Sequence, residues 1–204
     1  MRITCALAAI LTILLIAACV PQTEVIKLYD KPDRVDKAYE RLLVIGITGD
    51  AGARRRLEEL ITGQLAAANI AATAGYTETG LKTQLLQDEI DTAAKNVNAD
   101  AILITHIVSV DTRMDKDPER NIQLECQGGD AQDYTLYERR ILVEPESVRI
   151  AHTVVAVTNL YNAGDGERLW TIQSTCFEKS SMDEVLQEEA KAIVRQLQID
   201  NLVG

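Results

Sequence analysis

The sequence predicts an α/β fold: a single mixed sheet, built as βαβαβ and then an antiparallel hairpin, covered by helices and closed by a C-terminal helix. Three observations predict it. Two compact apolar runs, residues 42–47 and 101–108, have the length and the Leu/Ile/Val content of strands buried on both faces. Between them apolar residues recur at helical spacing, which favours parallel strands joined by helical crossovers. Residues 148–162 and 168–176 are rich in Val, Ile and Thr, and Ala163-Gly164-Asp165-Gly166 between them is hairpin turn chemistry.

The elements follow in order. The folded part is expected to start at Arg41, with 42–47 as a central strand. Asp50 stands where a helix cap is needed, after a glycine-punctuated turn. Leu57, Leu60, Ile61 and Leu65 then form a helical stripe, with Arg54, Arg55, Arg56, Glu58 and Glu59 mostly on the outer face. A short strand is expected near residues 70–76, ended by Gly80. Leu86, Ile90, Ala94 and Val97 mark a second helix, and 101–108 is the next buried strand. After the hairpin, Ser181 and Glu184 have capping-box spacing, and Val185, Leu186, Ile193 and Leu197 make the stripe of the last helix. Residues 111–147 interrupt this pattern with Asp111, Asp115, Asp117, Glu119, Glu125, Asp130 and Gly128-Gly129. Within them, residues 133–143 read as an extra strand or hairpin arm. An insertion of this length in a compact domain is usually functional or disordered.

A chain of 204 residues has room for one domain. Its 47% hydrophobic and 25% charged residues are ordinary globular composition. A net charge of -10 argues against nucleic acid as a partner, because phosphate neutralisation needs a basic stripe. Aromatics at 4% are too few for base-stacking platforms, and two histidines with four cysteines leave little material for a metal site.

Residues 1–18 read as an export signal: Arg2 is the only charge, the run to Ala18 is apolar apart from Thr4 and Thr12, and small residues precede the break. A transmembrane helix needs about 20 apolar residues, and here Pro21, Gln22, Thr23 and Glu24 cut the run short. Ile16-Ala17-Ala18-Cys19 resembles a lipobox, the motif at which bacterial lipoprotein precursors are lipidated and cut. The resemblance implies cleavage before Cys19, with a diacylglycerol and an N-acyl chain on Cys19 and no other cofactor. It also implies outer-membrane sorting, since Val20 stands where an Asp would retain the protein in the inner membrane. The alternative is an ordinary signal peptide with a chance cysteine. Several acyl chains hold a protein stably where one does not. Residues 19–40, with Pro21, Pro32 and many charges, read as the lipidated N-terminus and a tether, with room for a short helix around residues 34–39.

Once Cys5 leaves with the signal and Cys19 is lipidated, Cys126 and Cys176 remain. An oxidising compartment suggests that they form one disulfide, pinning the insertion to the hairpin; a pair of buried thiols is the alternative. Gly46-Ile47-Thr48-Gly49-Asp50-Ala51-Gly52 sits where phosphate loops sit, but it lacks G-x-G-x-x-G and G-K-[ST] spacing. A plain strand-to-helix turn with an Asp cap is the better reading. His106 and His152 lie in strands with no H-E-x-x-H and no G-x-S-x-G nucleophile, so no catalytic residue is assigned. The acids at 111–119 lack Ca²⁺-loop spacing, and no metal ligands are assigned. Arg54, Arg55 and Arg56 form a basic spot that could meet an acidic partner or pair with Glu58 and Glu59. Trp170 reads as a core residue rather than an interface anchor.

The lipobox, the tether, the segment "NADAILITHIVSV" and the segment "VVAVTNLYNAGDGERLWTIQ" together resemble small bacterial envelope lipoproteins. These have a core similar to the curli-secretion lipoprotein and to the N-terminal domain of the Tol-system propeller protein. The resemblance covers roughly residues 41–113 and 148–198 and carries no catalytic motif. The curli-secretion lipoprotein makes a membrane barrel from long hairpins and assembles as a ring. Here residues 111–147 are too charged for two pairs of lipid-facing strands, which argues against a pore. The expectation is a lipid-anchored outer-membrane lipoprotein with a periplasmic, non-catalytic domain that binds another envelope protein through the insertion and a sheet edge. The alternative is a subunit of an oligomeric secretion or export assembly, in which the chain would be a homo-oligomer.

Overall fold

The computed structural model describes residues 23–32, 38–117, 120–123, 141–144 and 147–204, with side chains over 23–32, 38–115 and 148–204. The chain order is β1 (Thr23–Asp30), β2 (Arg41–Ile47), α1 (Ala51–Ala67), β3 (Ala71–Ala74), α2 (Tyr76–Thr79), α3 (Gln87–Asn96), β4 (Ala101–Asp117), β5 (Arg120–Gln123), β6 (Ile141–Glu144), β7 (Ser147–Asn162), β8 (Arg168–Lys179) and α4 (Met182–Ile199). Six strands form one mixed sheet in the order β1-β8-β7-β4-β2-β3, and β5 pairs with β6 separately. β2 runs parallel to both β3 and β4, while the β4–β7, β7–β8 and β8–β1 pairs are antiparallel. The predicted α/β class, the parallel half, the hairpin and the final helix are all present.

Burial explains the arrangement. β2 is apolar at every position but one, because helices cover both of its faces. On one face Leu42, Val44, Leu103, Leu160, Trp170 and Ile172 pack against Leu57, Ile61 and Leu65 of α1 and Leu186, Ala190, Ile193 and Leu197 of α4. On the other, Leu43, Ile45 and Ile102 pack against Ile90, Ala93 and Ala94 of α3. Asp50 caps α1 as expected, its carboxylate accepting from Ala53 N at 2.7 Å. Ser181 caps α4, but the capping box is only half made. The Glu184 carboxylate accepts from Ser180 N and Oγ, not from Ser181 N.

The expected tether over residues 19–40 is corrected by β1. Thr23–Asp30 is an edge strand that pairs with β8 from Thr23↔Cys176 to Asp30↔Trp170, so the folded domain starts before Arg41. An edge strand uses hydrogen bonds on one side only and tolerates charge, which is why Glu24, Lys27 and Asp30 look like linker composition. The strand is clamped at its end. Asp200, just past α4, accepts from Lys27 Nζ at 2.5 Å and from Trp170 Nε1 at 2.7 Å. That shared carboxylate holds the Asp200 pKa below its ordinary value against the opposing effect of burial, and it raises that of Lys27. The short helix expected around residues 34–39 falls mostly outside the described residues.

The insertion is shorter than expected at both ends. β4 runs on to Asp117 and β7 starts at Ser147, and the two stay in antiparallel register over that whole length, from Ala101↔Asn162 to Asp117↔Ser147. A bulge between Ile107 and Ser109 marks where β4 parts from β2; β7 keeps β8 as a neighbour as far as His152, opposite Thr112, and beyond that the two strands run on as a ribbon. β6 supplies a strand at the end of the 133–143 stretch; residues 124–140 lie outside the described residues.

Candidate functional site

The basic spot resolves into three separate internal jobs. Arg54 is 1% exposed, so as a partner contact it is corrected: it is a core residue. Its Nε donates to Glu58 Oε1 at 2.9 Å, its Nη2 to Thr79 Oγ1 at 2.7 Å, and its Nη1 to the carbonyls of Gly80 and Lys82. Glu58, fully buried, also accepts from Gly46 N at 2.8 Å and Tyr76 N at 2.6 Å. One ion pair therefore joins the β2–α1 turn to the segment around α2. Arg55 pairs with Glu59 at 2.8 Å and lies 5.9 Å from the centre of the Tyr76 ring. Arg56 bridges α1 to α4 through both oxygens of Asp183, which holds the Asp183 carboxyl below its ordinary pKa. Consecutive helical residues point about 100° apart, so three adjacent arginines reach three different neighbours. Sequence reasoning placed Glu58 on the outer face; its position one residue after Leu57, at the edge of the apolar stripe, was the signal to the contrary.

The turn at residues 46–52 is a plain strand-to-helix turn. Gly46 N is committed to Glu58, and Thr48 Oγ1 donates to the Asp50 carbonyl at 2.6 Å. His106 is exposed, and His152 Nδ1 lies 3.0 Å from Thr112 Oγ1 with no other side chain bonded to the ring. Among the described residues no group of three acidic, His or Cys side chains is placed to hold a metal ion. Trp170 is fully buried, as expected. Cys176 is also fully buried, beside Val154 and Val185, and burial pushes its thiol pKa up. Cys126, Cys19, Ile16, Ala17 and Ala18 lie outside the described residues. A groove of about 850 Å³ between β1, the C-terminal end of α1 and α4 is lined by Val25, Ala67, Ala68, Glu188, Lys191 and Arg195.

The sheet edges are poor strand acceptors. β3 has four residues. β1 carries a bulge between Lys27 and Tyr29, and Lys27, paired opposite Ile172, is a charge on the core-facing side of the edge. Unpaired backbone is found on the ribbon instead. β2 pairs with β4 only as far as His106, and β8 pairs with β7 only from His152 onward, so the strands beyond have neighbours on one side. The ribbon is amphipathic. Register puts Val110, Thr112 and Met114 with Val154, His152 and Ile150 on one face, and the Lys116–Val148 pair at the next position along it. Asp111, Arg113 and Asp115 share the other face with Thr153, Ala151 and Arg149. Val110, Met114, Val148 and Ile150 are exposed, Met114 to 68%. The sequence carries this alternation over residues 108–115, but the bulge breaks its phase with the buried strand before it.

The fold and its surface thus define a mixed α/β domain with a two-stranded ribbon. No protein-family model and no curated protein matches the chain. Among solved structures it is similar to a PelC dodecamer from Paraburkholderia phytofirmans, at 14% identity and a TM-score of 0.48, over 86% of this chain and 97% of that one. It is also similar to lipoprotein GNA1162 from Neisseria meningitidis, at 14% identity and a TM-score of 0.40, over 78% of this chain and 97% of that one. A PDZ domain protein from Parabacteroides distasonis matches at 12% identity and a TM-score of 0.36, over 86% of this chain and 35% of that one. Likeness at this level carries no argument about activity or partner.

Proposed function

We propose that this chain is an outer-membrane lipoprotein, acylated at Cys19, whose periplasmic α/β domain binds another envelope protein and catalyses no reaction. The observation that carries the reading is Ile16-Ala17-Ala18-Cys19 at the end of an apolar run, four residues before the first strand. The net charge of -10 argues against electrostatic attachment to an anionic membrane and leaves apolar anchoring, first of all by the acyl chains. Among the described residues no helix is long and apolar enough to cross a membrane. The ribbon, with its free backbone edges and its charged face of Asp111, Arg113, Asp115 and Arg149, is the protein-binding element. Cys19→Ala is expected to yield an unprocessed or soluble protein; if that variant still fractionates with the outer membrane, the anchor reading is wrong. The native mass of the gently extracted lipidated protein tests the rest. A monomer with one stoichiometric companion supports the adaptor reading. A closed homo-oligomer of many subunits replaces it with a subunit of an export assembly.

The Cys126–Cys176 disulfide belongs to the same proposal, since it needs the oxidising compartment. Wild type is expected to run faster than Cys126→Ser on a non-reducing gel. Equal mobility would leave Cys176 as the buried thiol of its apolar cluster.

A further inference from the structure

The anchor and the ribbon leave the sheet at the same end. Register draws one row across four strands: Thr23 of β1 opposite Cys176 of β8, Cys176 opposite Val154 of β7, and Val154 opposite Val110 of β4. β1 begins at this row, and the ribbon extends beyond it. Cys19 is four residue steps from Thr23, which fully extended span at most about 14 Å at roughly 3.5 Å per residue. From Val110 to Asp117 the ribbon advances seven steps, about 23 Å at roughly 3.3 Å per residue. Three strand spacings, about 14 Å, separate β1 from β4 sideways. The ribbon is therefore longer than the leash that ties its own end of the sheet to an acylated Cys19. With Cys19 at a bilayer surface that lies across this end of the sheet, the ribbon meets that bilayer.

How it meets the bilayer follows from its two faces. Passing through the leaflet would immerse Asp111, Arg113, Asp115 and Arg149 in hydrocarbon, which is costly. Lying along the surface puts Val110, Met114, Val148 and Ile150 against the boundary of headgroups and acyl chains and leaves the charged face in water. The bulge at Ile107 and Ser109 supplies a bend in β4 just past its last β2 partner, ahead of the ribbon. A two-stranded ribbon is marginally stable alone in water, and a surface for its apolar face removes that weakness. We propose that the β4–β7 ribbon lies flat on the leaflet that holds the acylated Cys19, with Val110, Met114, Val148 and Ile150 as its lipid-facing side. This rests on the lipid-anchor reading above. Its consequence is a domain fixed in orientation on the membrane, with the Gly164–Gly166 turn at the end of the sheet opposite the anchor.

The test uses the full-length lipidated protein, in a Cys126→Ser background, reconstituted into phosphatidylethanolamine/phosphatidylglycerol vesicles. Met114→Cys, Ile150→Cys and Arg113→Cys each carry a polarity-sensitive fluorophore; Cys176 is buried and Cys19 is blocked by its lipid. Bromine or nitroxide placed near the headgroup is expected to quench the probes at 114 and 150 by about two-fold or more, and the probe at 113 far less. Flotation with the vesicles reads the anchor separately. Protein that floats while all three probes report water overturns the ribbon proposal alone. Probes at 114 and 150 shielded from water but untouched by lipid quenchers also overturn it, since a protein then covers the face. Stronger quenching from the bilayer centre than from the headgroup overturns the flat placement in favour of insertion. Failure to float overturns the anchor reading, and the ribbon proposal with it.

Discussion

Glu58→Ala is expected to lower the free energy of unfolding by about 3–5 kcal/mol, read from urea midpoints at constant slope. In a domain of this size that is a fall in Tm on the order of 10 °C. The loss has three sources that act together. The Glu58 carboxylate takes hydrogen bonds from Arg54 Nε, Gly46 N and Tyr76 N. Its removal strands a guanidinium that is 1% exposed and orphans two backbone N–H groups. The common rescue of a buried ion pair, replacement of both partners by apolar residues, is often neutral or stabilising. Here it is expected to fail. In Arg54→Met/Glu58→Met the N–H groups of Gly46 and Tyr76 stay unpaired, and so do the carbonyls of Gly80 and Lys82 that Arg54 had satisfied. The double variant should be less destabilised than the sum of the singles yet remain well below wild type. A double variant as stable as wild type would show that the pair acts as an isolated ion pair, not as the latch between the β2–α1 turn and the α2 segment.

What could be read from the sequence, and what could not, divides along one physical line. Elements buried on two faces or carrying a full helical stripe were legible: β2, the first part of β4, α1, α3, the hairpin of β7 and β8, and α4. Their pattern comes from desolvation, which acts on every residue of the element. Elements held on one side only were misread. β1 looked like a tether because it carries Glu24, Lys27 and Asp30, charges that an edge strand tolerates and that keep it from pairing further. The ribbon looked like an acidic insertion because one of its faces is Asp111, Arg113 and Asp115, while the bulge at Ile107 and Ser109 hid the continuity of the apolar face. The lipidation motif at Cys19 lies outside the described residues. Of the arginine spot, the pairing with Glu58 and Glu59 was legible from helical spacing; the burial of Arg54 and the reach of Arg56 to Asp183 were not, because they depend on neighbours distant in sequence.

Glu189→Gln is expected to do the opposite of Glu58→Ala: to stabilise the domain by up to about 3 kcal/mol at pH 8 and to change little at pH 4. Glu189 is 1% exposed on the core side of α4. It receives one hydrogen bond, from Ser174 Oγ to Oε2 at 2.5 Å, and Oε1 has no partner among the described residues. Burial without enough donors pushes its pKa from 4.5 up to about 7. Below about 4.5 both the folded and unfolded chains hold the proton, and the group costs nothing. As pH rises from there to about 7 the unfolded chain releases the proton first, so stability falls; above 7 the full penalty is present. Glutamine keeps the shape and the neutral state at every pH, so its stability curve should lose that descent. Urea midpoints across pH 4–8 decide it: parallel curves for wild type and Glu189→Gln would mean that Glu189 ionises in the folded state as easily as in water. Ser174→Ala sharpens the comparison. The serine bond favours the charged form, so its removal should extend the descent to higher pH and thereby deepen it, with its start unchanged. Two buried glutamates thus carry opposite signs for one reason. Glu58 has three donors, one of them a cation, and is worth keeping charged; Glu189 has a single hydroxyl, and the fold is most stable when it is neutral.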